Sequence, residues 1–216
     1  MISKKTMPRH QKTNNNNSNT NNSNDNNAPA PSHHTEAACK CMTCFTDGAC
    51  VHNGKKNARA SFAVVWPEHP EMNYAQQLRD GEEHTNNRAE FTAVIHAFEQ
   101  ADAMDPGRTV PLQVYTDSML LINSLTKWMA AWKRNGWRKA DGTPVANRDL
   151  LETLHAHVGR RVAHFRHVRA HTNKKDWEST FNDYADRCAK AALHGSPTSA
   201  HSSASLRIAH GKKRAF

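Results

Sequence analysis

The sequence predicts an α/β fold, in which a mixed sheet carries helices on its faces. In 60–66, apolar residues at every second position alternate with smaller or polar ones, which indicates a strand. From residue 88 the spacing changes, and Val94, Phe98 and Ala101 recur as they would on one side of a helix. Strands come first and are then interleaved with helices, an order that is typical of a mixed sheet flanked by helices.

Five strands and four helices are expected in order along the chain. Asn53-Gly54 is a turn dipeptide between the first two strands, while Asp105-Pro106-Gly107 and Asn135-Gly136 stop the first two helices. A third strand is expected beside a polar loop at 79–83. The other strands are predicted at 42–46, 60–66, 112–116 and 162–168, and the helices from 88 to the stop at 105, from 119 to about 135, at 149–157 and at 177–193.

The composition predicts one folded domain between two tails. A chain of 216 residues is long enough for one domain of ordinary size. Ten of the fourteen residues in 14–27 are Asn and none is apolar, so this stretch has almost nothing to bury. We therefore expect a disordered Asn-rich tail at 1–41, a folded domain at 42–193 and a disordered basic tail at 194–216.

The formal net charge of +9 favours a polyanionic partner. Much of this charge lies in the tails, because 1–38 has four cations against two acids and 193–216 has four cations and no acid. No run approaches the roughly 18–20 apolar residues that a membrane helix needs, and no secretory signal is visible. The expected protein is soluble and intracellular, with no membrane partner, and both nucleus and cytoplasm remain open.

An odd number of cysteines without a signal argues against a disulfide framework. The five are Cys39, Cys41, Cys44, Cys50 and Cys188. Cys39, Cys41 and Cys44, with His33 and His34 nearby, are an alternative half of a zinc site, although such sites usually have two well-spaced ligand pairs. The favoured interpretation places Cys44 in the first strand as a small apolar residue, with the other two at its entrance.

Four carboxylates occupy separate sequence contexts: Asp47, Glu90, Asp117 and Asp186. Asp47 and Asp117 each follow an apolar strand, so their side chains can meet at adjacent strand ends, and Glu90 near a helix start can point back at them. Mg²⁺ prefers oxygen ligands, and two ions about 3.5–4 Å apart can clamp the attacking and leaving oxygens of a phosphodiester. Together with a basic, Trp-rich segment, these acids indicate a nuclease.

The motifs resemble type 1 ribonuclease H. In order they are Thr46-Asp47-Gly48, Thr85-Asn86-Asn87-Arg88-Ala89-Glu90, Tyr115-Thr116-Asp117-Ser118, a His, and Asn182…Ala185-Asp186. Two further stretches are similar to the cellular eukaryotic members of the family: Asn53-Gly54-Lys55-Lys56 and Trp128…Trp132-Lys133-Arg134-Asn135-Gly136-Trp137. The resemblance spans about 43–193. It implies a ribonuclease H-like fold, a five-stranded mixed sheet flanked by helices with a basic protrusion, without the hybrid-binding domain of many eukaryotic relatives.

The resemblance implies a metal-dependent active site. Asp47, Glu90, Asp117 and Asp186 would be the catalytic and metal-binding acids, holding two Mg²⁺ ions for which Mn²⁺ could substitute. His171 matches a histidine that assists proton transfer or product release, and the loop at 172–182 is longer than usual. Because the chain has fifteen histidines, an ordinary surface histidine is the alternative at this position.

The resemblance also implies a track for a nucleic-acid duplex. Asn53, Asn86 and Asn87 match residues that lie in the minor groove, where the 2′-hydroxyl distinguishes RNA from DNA. Thr85 and Asn147 match members of a pocket for a DNA phosphate. The family's arginine of that pocket is replaced here by a glutamate at 83, and the cation at 79 is a candidate to complete it.

The segment from 119 to 147 resembles the basic protrusion of the family. Between 127 and 139 it has five cations and no acid: Lys127, Lys133, Arg134, Arg138 and Lys139. Such cations contact phosphates and carry no sequence information. Trp128 offers a flat apolar surface to the DNA strand. Trp132 either does the same or is a core residue on the apolar stripe of its helix.

The expected function is that of an endonuclease that hydrolyses the RNA strand of RNA–DNA hybrids and leaves 5′-phosphate and 3′-hydroxyl ends. The expected partner is the hybrid duplex, and the protein is expected to be a monomer. Two alternatives remain, a catalytically silent hybrid-binding module and another nuclease on the same fold. The intact set of four acids argues against the first, and the protrusion with the three asparagines argues against the second.

Overall fold

The computed structural model describes residues 41–170 and 175–195, and within them the expected mixed sheet is present. Its strands are β1 (Met42–Val51), β2 (Arg59–Val65), β3 (Tyr74–Gln77), β4 (Leu112–Thr116) and β5 (Ala163–His167). The helices are α1 (Asn86–Met104), α2 (Met119–Asn123), α3 (Met129–Arg134), α4 (Arg148–Val158) and α5 (Trp177–Ala192), with a π-helical turn at Ser124–Trp128 and a 3₁₀ turn at Pro70–Met72.

The strand order is β3-β2-β1-β4-β5. The first three strands along the chain pair antiparallel, whereas β1 pairs parallel with β4, and β4 parallel with β5. To lie parallel to β1, the strand β4 must follow a crossover connection, and α1, which comes between β3 and β4 in the chain, provides it. The strand β1 therefore lies at the centre of the sheet, between an antiparallel half and a parallel half.

The core consists of two layers, one on each face of the sheet. On one face, α1 and α4 cover Cys44, Val64 and Val114. On the other face, α5 packs against β1 and β2 through its small side chains and through an aromatic group. In that group Phe45 lies stacked on Tyr115, with ring centroids 4.7 Å apart. The burial of Cys44, which is 0% exposed, agrees with its expected place in the first strand.

The expected boundaries are confirmed for β4, and within a few residues for most other elements, but two expectations are wrong. The first strand does not end at the residue before Asp47, since β1 continues to Val51 while pairing with β2. The second helix is not one continuous α-helix, because the π-helical turn at Ser124–Trp128 separates α2 from α3. A π-helical turn inserts one residue into the helix ladder and turns the residues after it.

A buried arginine fastens the far end of α1 to the start of β5. The guanidinium of Arg161, whose side chain is 1% exposed, donates to the carboxylates of Asp102 and Asp105 at 3.0 and 3.1 Å. It also donates to the backbone carbonyls of Ala101, Val110 and Asp105. A buried charge is tolerated when it is both paired and hydrogen-bonded, so this cation has a structural role.

No helix among the described residues is long and apolar enough to cross a membrane. The expected tails at 1–41 and 194–216 lie almost wholly outside the described ranges, as do His33, His34 and Cys39. The disordered tails and the zinc alternative therefore stay predictions.

A glycine allows α1 to approach the central strand closely. A Cβ atom at Gly48 would lie 2.6 Å from the backbone nitrogen of Glu90 and 2.9 Å from the Cβ of Ala89. Side chains essentially never approach backbone this closely, so any other residue at this position would displace the helix from the strand. Because Gly48 has no side chain, the first turns of α1, which carry Glu90, can pack directly against β1.

Gly48→Ala should destabilise the protein by about 1–3 kcal/mol, the usual cost of forcing an extra methyl into a packed interior. Urea unfolding measures this free energy. Gly107→Ala is the matched control, because its Cβ would meet its nearest neighbours at 3.5 and 3.6 Å, which is ordinary contact. Equal stability of the two variants would contradict the close approach of α1 to β1.

A candidate metal centre and active site

The register of the parallel pair places Asp47 beside Asp117. In the pairing of β1 with β4, Phe45 lies opposite Tyr115, so two residues further on Asp47 and Asp117 are at equivalent positions. Opposed residues of neighbouring strands lie on the same face of a sheet. Asp117 directly follows β4, whereas Asp47 lies inside β1, beyond the part that pairs with β4. The two carboxylates therefore meet as expected, although Asp47 is not at a strand end.

The helix α1 adds a third carboxylate. Thr85 caps the helix, its side-chain oxygen accepting a hydrogen bond from the backbone N–H of Arg88 at 3.2 Å. Glu90 follows in the second turn, on the side that Gly48 allows to approach β1. One carboxylate oxygen from each of Asp47, Glu90 and Asp117 lies within 4.8 Å of the other two.

The fourth expected acid lies in the same cleft but outside this triad. Asp186 in α5 accepts a hydrogen bond from the Nζ of Lys190, one helical turn later, at 2.8 Å. Both residues line a cleft of about 480 Å³ together with the three acids of the triad. The negative charge of Asp186 still acts on Asp47, and the positive charge of Lys190 acts on it in the opposite direction.

Burial and repulsion by neighbouring acids raise the pKa of two acids of the triad, Asp47 and Glu90. Asp47 and Glu90 are each 4% exposed. Burial, followed by the charges of Asp117 and Asp186, raises the pKa of Asp47 to about 8. Burial and the charges of Asp47 and Asp117 raise the pKa of Glu90 well above its ordinary value. The full negative charge of this site is therefore unfavourable near neutral pH unless a cation offsets it.

The donor set of the triad fits a hard metal ion. Oxygen atoms of carboxylates are the ligands that Mg²⁺ and similar cations prefer. The Oε1 atom of Glu90 accepts from the Nδ2 of Asn86 at 3.4 Å, whereas its buried Oε2 atom has no hydrogen-bond partner among the described residues. A buried acceptor without a partner costs free energy, and a cation between the three carboxylates would satisfy it.

Comparison with known proteins identifies the family. The ribonuclease H family model matches residues 39–194. The chain belongs to the ribonuclease H family. Ribonuclease H1 of Rattus norvegicus is 38% identical over 148 residues, which are 68% of this chain and 48% of that protein. Ribonuclease H of Alkalilimnicola ehrlichii is 36% identical over 153 residues, which are 70% of this chain and 94% of that protein.

A solved structure agrees with the fold. A foamy viral protease-reverse transcriptase in complex with an RNA/DNA hybrid has a TM-score of 0.55 and 15% identity, over 82% of this chain and 22% of that chain. At this identity the likeness concerns the fold alone. The chain spans about half the length of the rat ribonuclease H1 that it matches.

Within this ribonuclease H domain, two of the three expected minor-groove asparagines are in contact at the edge of the cleft. The turn between β1 and β2 exposes Asn53, whose Oδ1 accepts from the backbone N–H of Asn86 at 3.4 Å. Asn86 in turn reaches Glu90, so this contact connects the turn to the triad. Asn87 is exposed in the first turn of α1. Asn86 therefore lines the cleft of the acids, Asn53 contacts it, and Asn87 is the next residue of α1.

The expected phosphate-pocket residues are joined by an arginine that the sequence did not single out. Arg88 donates through Nη1 to the Oδ1 of Asn147 at 3.4 Å and forms a bidentate pair with Asp149 at 3.1 and 2.8 Å. Thr85 contacts the backbone of the same residue. Arg79, the candidate that the sequence offered, is exposed on the loop before α1. Arg88 is therefore the cation that contacts both expected pocket residues.

Sequence reasoning also missed Lys190, although a signal existed. An acid and a lysine four residues apart on a helix lie side by side, so the spacing of Asp186 and Lys190 predicts their ion pair. Nothing in the spacing of Arg88 predicts its partners, because Asp149 is far away in sequence and reaches it only through the packing of α4 on α1.

The basic protrusion of this ribonuclease H domain is formed by α3 and the loop that leads to α4. Lys133 and Arg134 are exposed, and the Nζ of Lys133 lies 2.9 Å from the Nε2 of His155 in α4. Trp128 is 38% exposed, and its ring centroid lies 5.5 Å from that of Trp132. Trp132 is partly buried against the core, so of the two tryptophans Trp128 has the more available ring.

His171 lies outside the described residues, as do 172–174 of the long loop after it. Its expected role in proton transfer or product release therefore stays a prediction.

Asp47→Asn should stabilise the metal-free protein at alkaline pH. The raised pKa of Asp47 means that the folded state binds this proton more tightly than the unfolded state, so stability falls as pH rises from the ordinary aspartate range to about 8. Asparagine removes this loss, and we expect a gain of about 1–3 kcal/mol at pH 8 that vanishes near pH 4.

Urea unfolding with a chelator at both pH values measures the difference. Asp80→Asn, at an exposed loop position, is the control and should change little. Added Mg²⁺ should raise the melting temperature of the wild type at pH 8 more than that of the Asp47 variant. A destabilised Asp47→Asn variant at pH 8 would show that repulsion is not the main effect of this carboxylate on stability.

Proposed function

We propose that this chain is a metal-dependent endonuclease that hydrolyses the RNA strand of RNA–DNA hybrids. The observation that carries the proposal is the triad of Asp47, Glu90 and Asp117, whose oxygens lie within 4.8 Å of one another in a cleft. Membership of the ribonuclease H family supports the reaction, and the hybrid in the foamy viral complex supports the substrate. By analogy with the family, the products carry 5′-phosphate and 3′-hydroxyl ends.

The triad and Asp186 are proposed to hold two Mg²⁺ ions, with Mn²⁺ as a substitute. When bound, such ions stabilise the attacking and leaving oxygens of a phosphodiester. The chain's own part is to keep three carboxylates in fixed positions, because each comes from a different element of a rigid sheet and helix. Asn86 orients Glu90 through its hydrogen bond, and Lys190 balances the charge of Asp186.

Selection of RNA is proposed to depend on Asn53, Asn86 and Asn87. Side-chain amides both donate and accept hydrogen bonds, so they can bind a 2′-hydroxyl, which DNA lacks. The place of Asn86 in the cleft lining and its contact with Asn53 support this role, since a strand whose phosphate lies at the triad would bring its sugars past them. Thr85 and Asn147, joined by Arg88, are proposed to bind a phosphate of the DNA strand.

The protrusion is proposed to hold the DNA strand through phosphate contacts and through Trp128. Lys133, Arg134 and their neighbours supply charge without reading sequence, so cleavage should not depend on sequence. His171 is proposed to assist proton transfer or product release, as its match in the family does. The protein is proposed to act as a monomer, with a folded catalytic domain at 42–193 between two tails.

Matched duplexes provide the decisive test. The wild type should cleave the RNA strand of an RNA–DNA hybrid in the presence of Mg²⁺ and leave RNA–RNA and DNA–DNA duplexes intact. Asp47→Asn should lower the rate by far more than tenfold while it still binds the hybrid, because the phosphate and amide contacts remain. Tenfold corresponds to only about 1.4 kcal/mol of barrier, too little for the loss of a metal ligand.

Hybrid binding without any cleavage by the wild type, with or without Mg²⁺, would favour the silent binding module. Equal cleavage of all three duplexes would favour another nuclease on the same fold.

Replacement of the protrusion cations should weaken hybrid binding and reduce its salt dependence. In the variant with Ala at Lys133, Arg134, Arg138 and Lys139, the slope of log K against log salt should fall by roughly one unit for each phosphate that is no longer bound. The rate at saturating hybrid should change little, because none of these residues lines the cleft of the acids. Affinity measured at several salt concentrations gives the slope.

Trp128→Ala is the uncharged counterpart of that variant. It removes a packing surface, so it should weaken binding by about 1–3 kcal/mol with little change of the salt slope. Wild-type affinity and salt profile in both variants would place the substrate track elsewhere.

A further inference from the structure

A second basic segment lies away from the protrusion. Between residues 153 and 170 the chain has four Lys or Arg residues and four histidines but no Asp or Glu. The segment runs from the middle of α4 through β5, the edge strand of the sheet, to three residues past the end of β5. An acid-free stretch of this length on an exposed edge is a candidate contact surface for a polyanion.

Not every cation of the segment is available to a partner. Arg161 is buried and paired with Asp102 and Asp105, as described above. Arg166 and Arg169 are exposed, and within the described part of the chain neither forms an ion pair with a carboxylate. Arg166 and Arg169 therefore present charges that no carboxylate of the described residues pairs with.

Among the described residues, α5 leaves the face of the sheet that carries Arg166 open at β5. Arg166 lies opposite Tyr115 and His164 lies opposite Gln113, so they share the face on which Tyr115 stacks with Phe45. The helix α5 covers this face over β1 and β2 but makes no extensive contact with β5. No described element covers the exposed side chains of His164 and Arg166, which lie beside the aromatic group.

An exposed indole adjoins these charges. Trp177, the first residue of α5, is 46% exposed although its ring contacts Phe45 and Tyr115 at 5.1 and 5.7 Å between centroids. The same tyrosine lies within the electrostatic reach of Arg166 and of Glu178. Arg166 and Trp177 therefore both lie near Tyr115, and within the described residues Glu178 forms no ion pair with the arginine.

The surface also adjoins the active site. His167 at the end of β5 lies opposite Thr116, the residue before Asp117, and the backbone N–H of Val168 donates to the carbonyl of Thr116 at 3.0 Å. Arg169 follows directly. A strand that leaves the cleft past Asp117 would therefore pass Arg169 before it reached the open face of β5.

From this arrangement we propose that Arg166, Arg169 and Trp177 form a binding surface for a single-stranded nucleic-acid segment that continues from the hybrid. The inference rests on the proposed function, since it assumes a hybrid in the cleft. Positive charge that follows a backbone, combined with an exposed aromatic ring, is the usual composition of single-strand sites. The indole favours a single strand over a duplex, because the bases of a duplex are stacked and offer it no free face.

Binding in the Asp47→Asn background tests the surface without cleavage of the probe. The probes are a blunt hybrid and the same hybrid extended by about ten unpaired nucleotides, a usual single-strand site size, at each of its four strand ends in turn. We expect at least one extension to tighten the dissociation constant by about tenfold. The gain should be lost in the double variant Arg166→Ser/Arg169→Ser, while affinity for the blunt hybrid is kept.

Two further variants make the test specific. Arg59→Ser/Arg187→Ser removes the same charge from exposed positions outside the surface and should keep the gain. Trp177→Ala should lose part of the gain with little change in salt slope, whereas the Arg166/Arg169 variant should flatten the slope by about 0.7 for each phosphate that is no longer bound. If a thermal melt shows that Trp177→Ala is not folded at the assay temperature, the Arg166/Arg169 variant alone tests the inference, because both arginines are exposed.

The outcomes separate this inference from the proposed function. A wild type that neither cleaves nor binds the blunt hybrid refutes the proposed function. If the blunt hybrid is bound and cleaved but no extension adds affinity, only the inference about β5 is refuted. Equal loss of the gain in the Arg166/Arg169 variant and in the Arg59/Arg187 control would also overturn it, since the gain would then come from net charge alone.

Discussion

Repulsion among buried carboxylates is the constraint on which the rest of this structure depends. Asp47 and Glu90 are almost fully buried, and the pKa of each is raised by burial and by neighbouring acids. Without other contacts that fix their positions, repulsion would favour conformations in which these carboxylates are further apart and in water. The fold keeps them together because they come from elements that other contacts already fix, so the unfavourable free energy is offset elsewhere in the chain.

Three features of the fold keep these elements in place. The parallel register of β1 and β4 aligns Asp47 with Asp117, and the missing side chain of Gly48 lets α1 bring Glu90 against β1. Arg161 holds the opposite end of α1 to the sheet through two carboxylates and three carbonyls. Outside the triad, the charges of Asp186 and Lys190 lie in the same cleft and act on Asp47 in opposite directions.

Much of the fold follows from local pattern, and the errors have physical causes. The alternation of β2 and the helical spacing of α1 are properties of single segments, so they could be predicted. The continuation of β1 through Asp47 to Val51 depends on pairing with β2, which no local pattern reveals. The π-helical turn at Ser124–Trp128 likewise interrupts a stripe whose spacing indicates one regular helix. Both errors concern backbone hydrogen bonds, and which of these bonds form depends on the packing of the surrounding segments.

The sequence by itself determined the order of the elements and the four acids, because their motifs carry strong short-range signals. Only the tertiary structure decided which acids meet: Asp47, Glu90 and Asp117 form the triad, while Asp186 lies in the same cleft outside it. It also decided that Arg88 joins the expected phosphate pocket and that α5 makes no extensive contact with β5. The physical reason is that side-chain partners and burial depend on contacts between segments distant in sequence, which spacing along the chain does not encode.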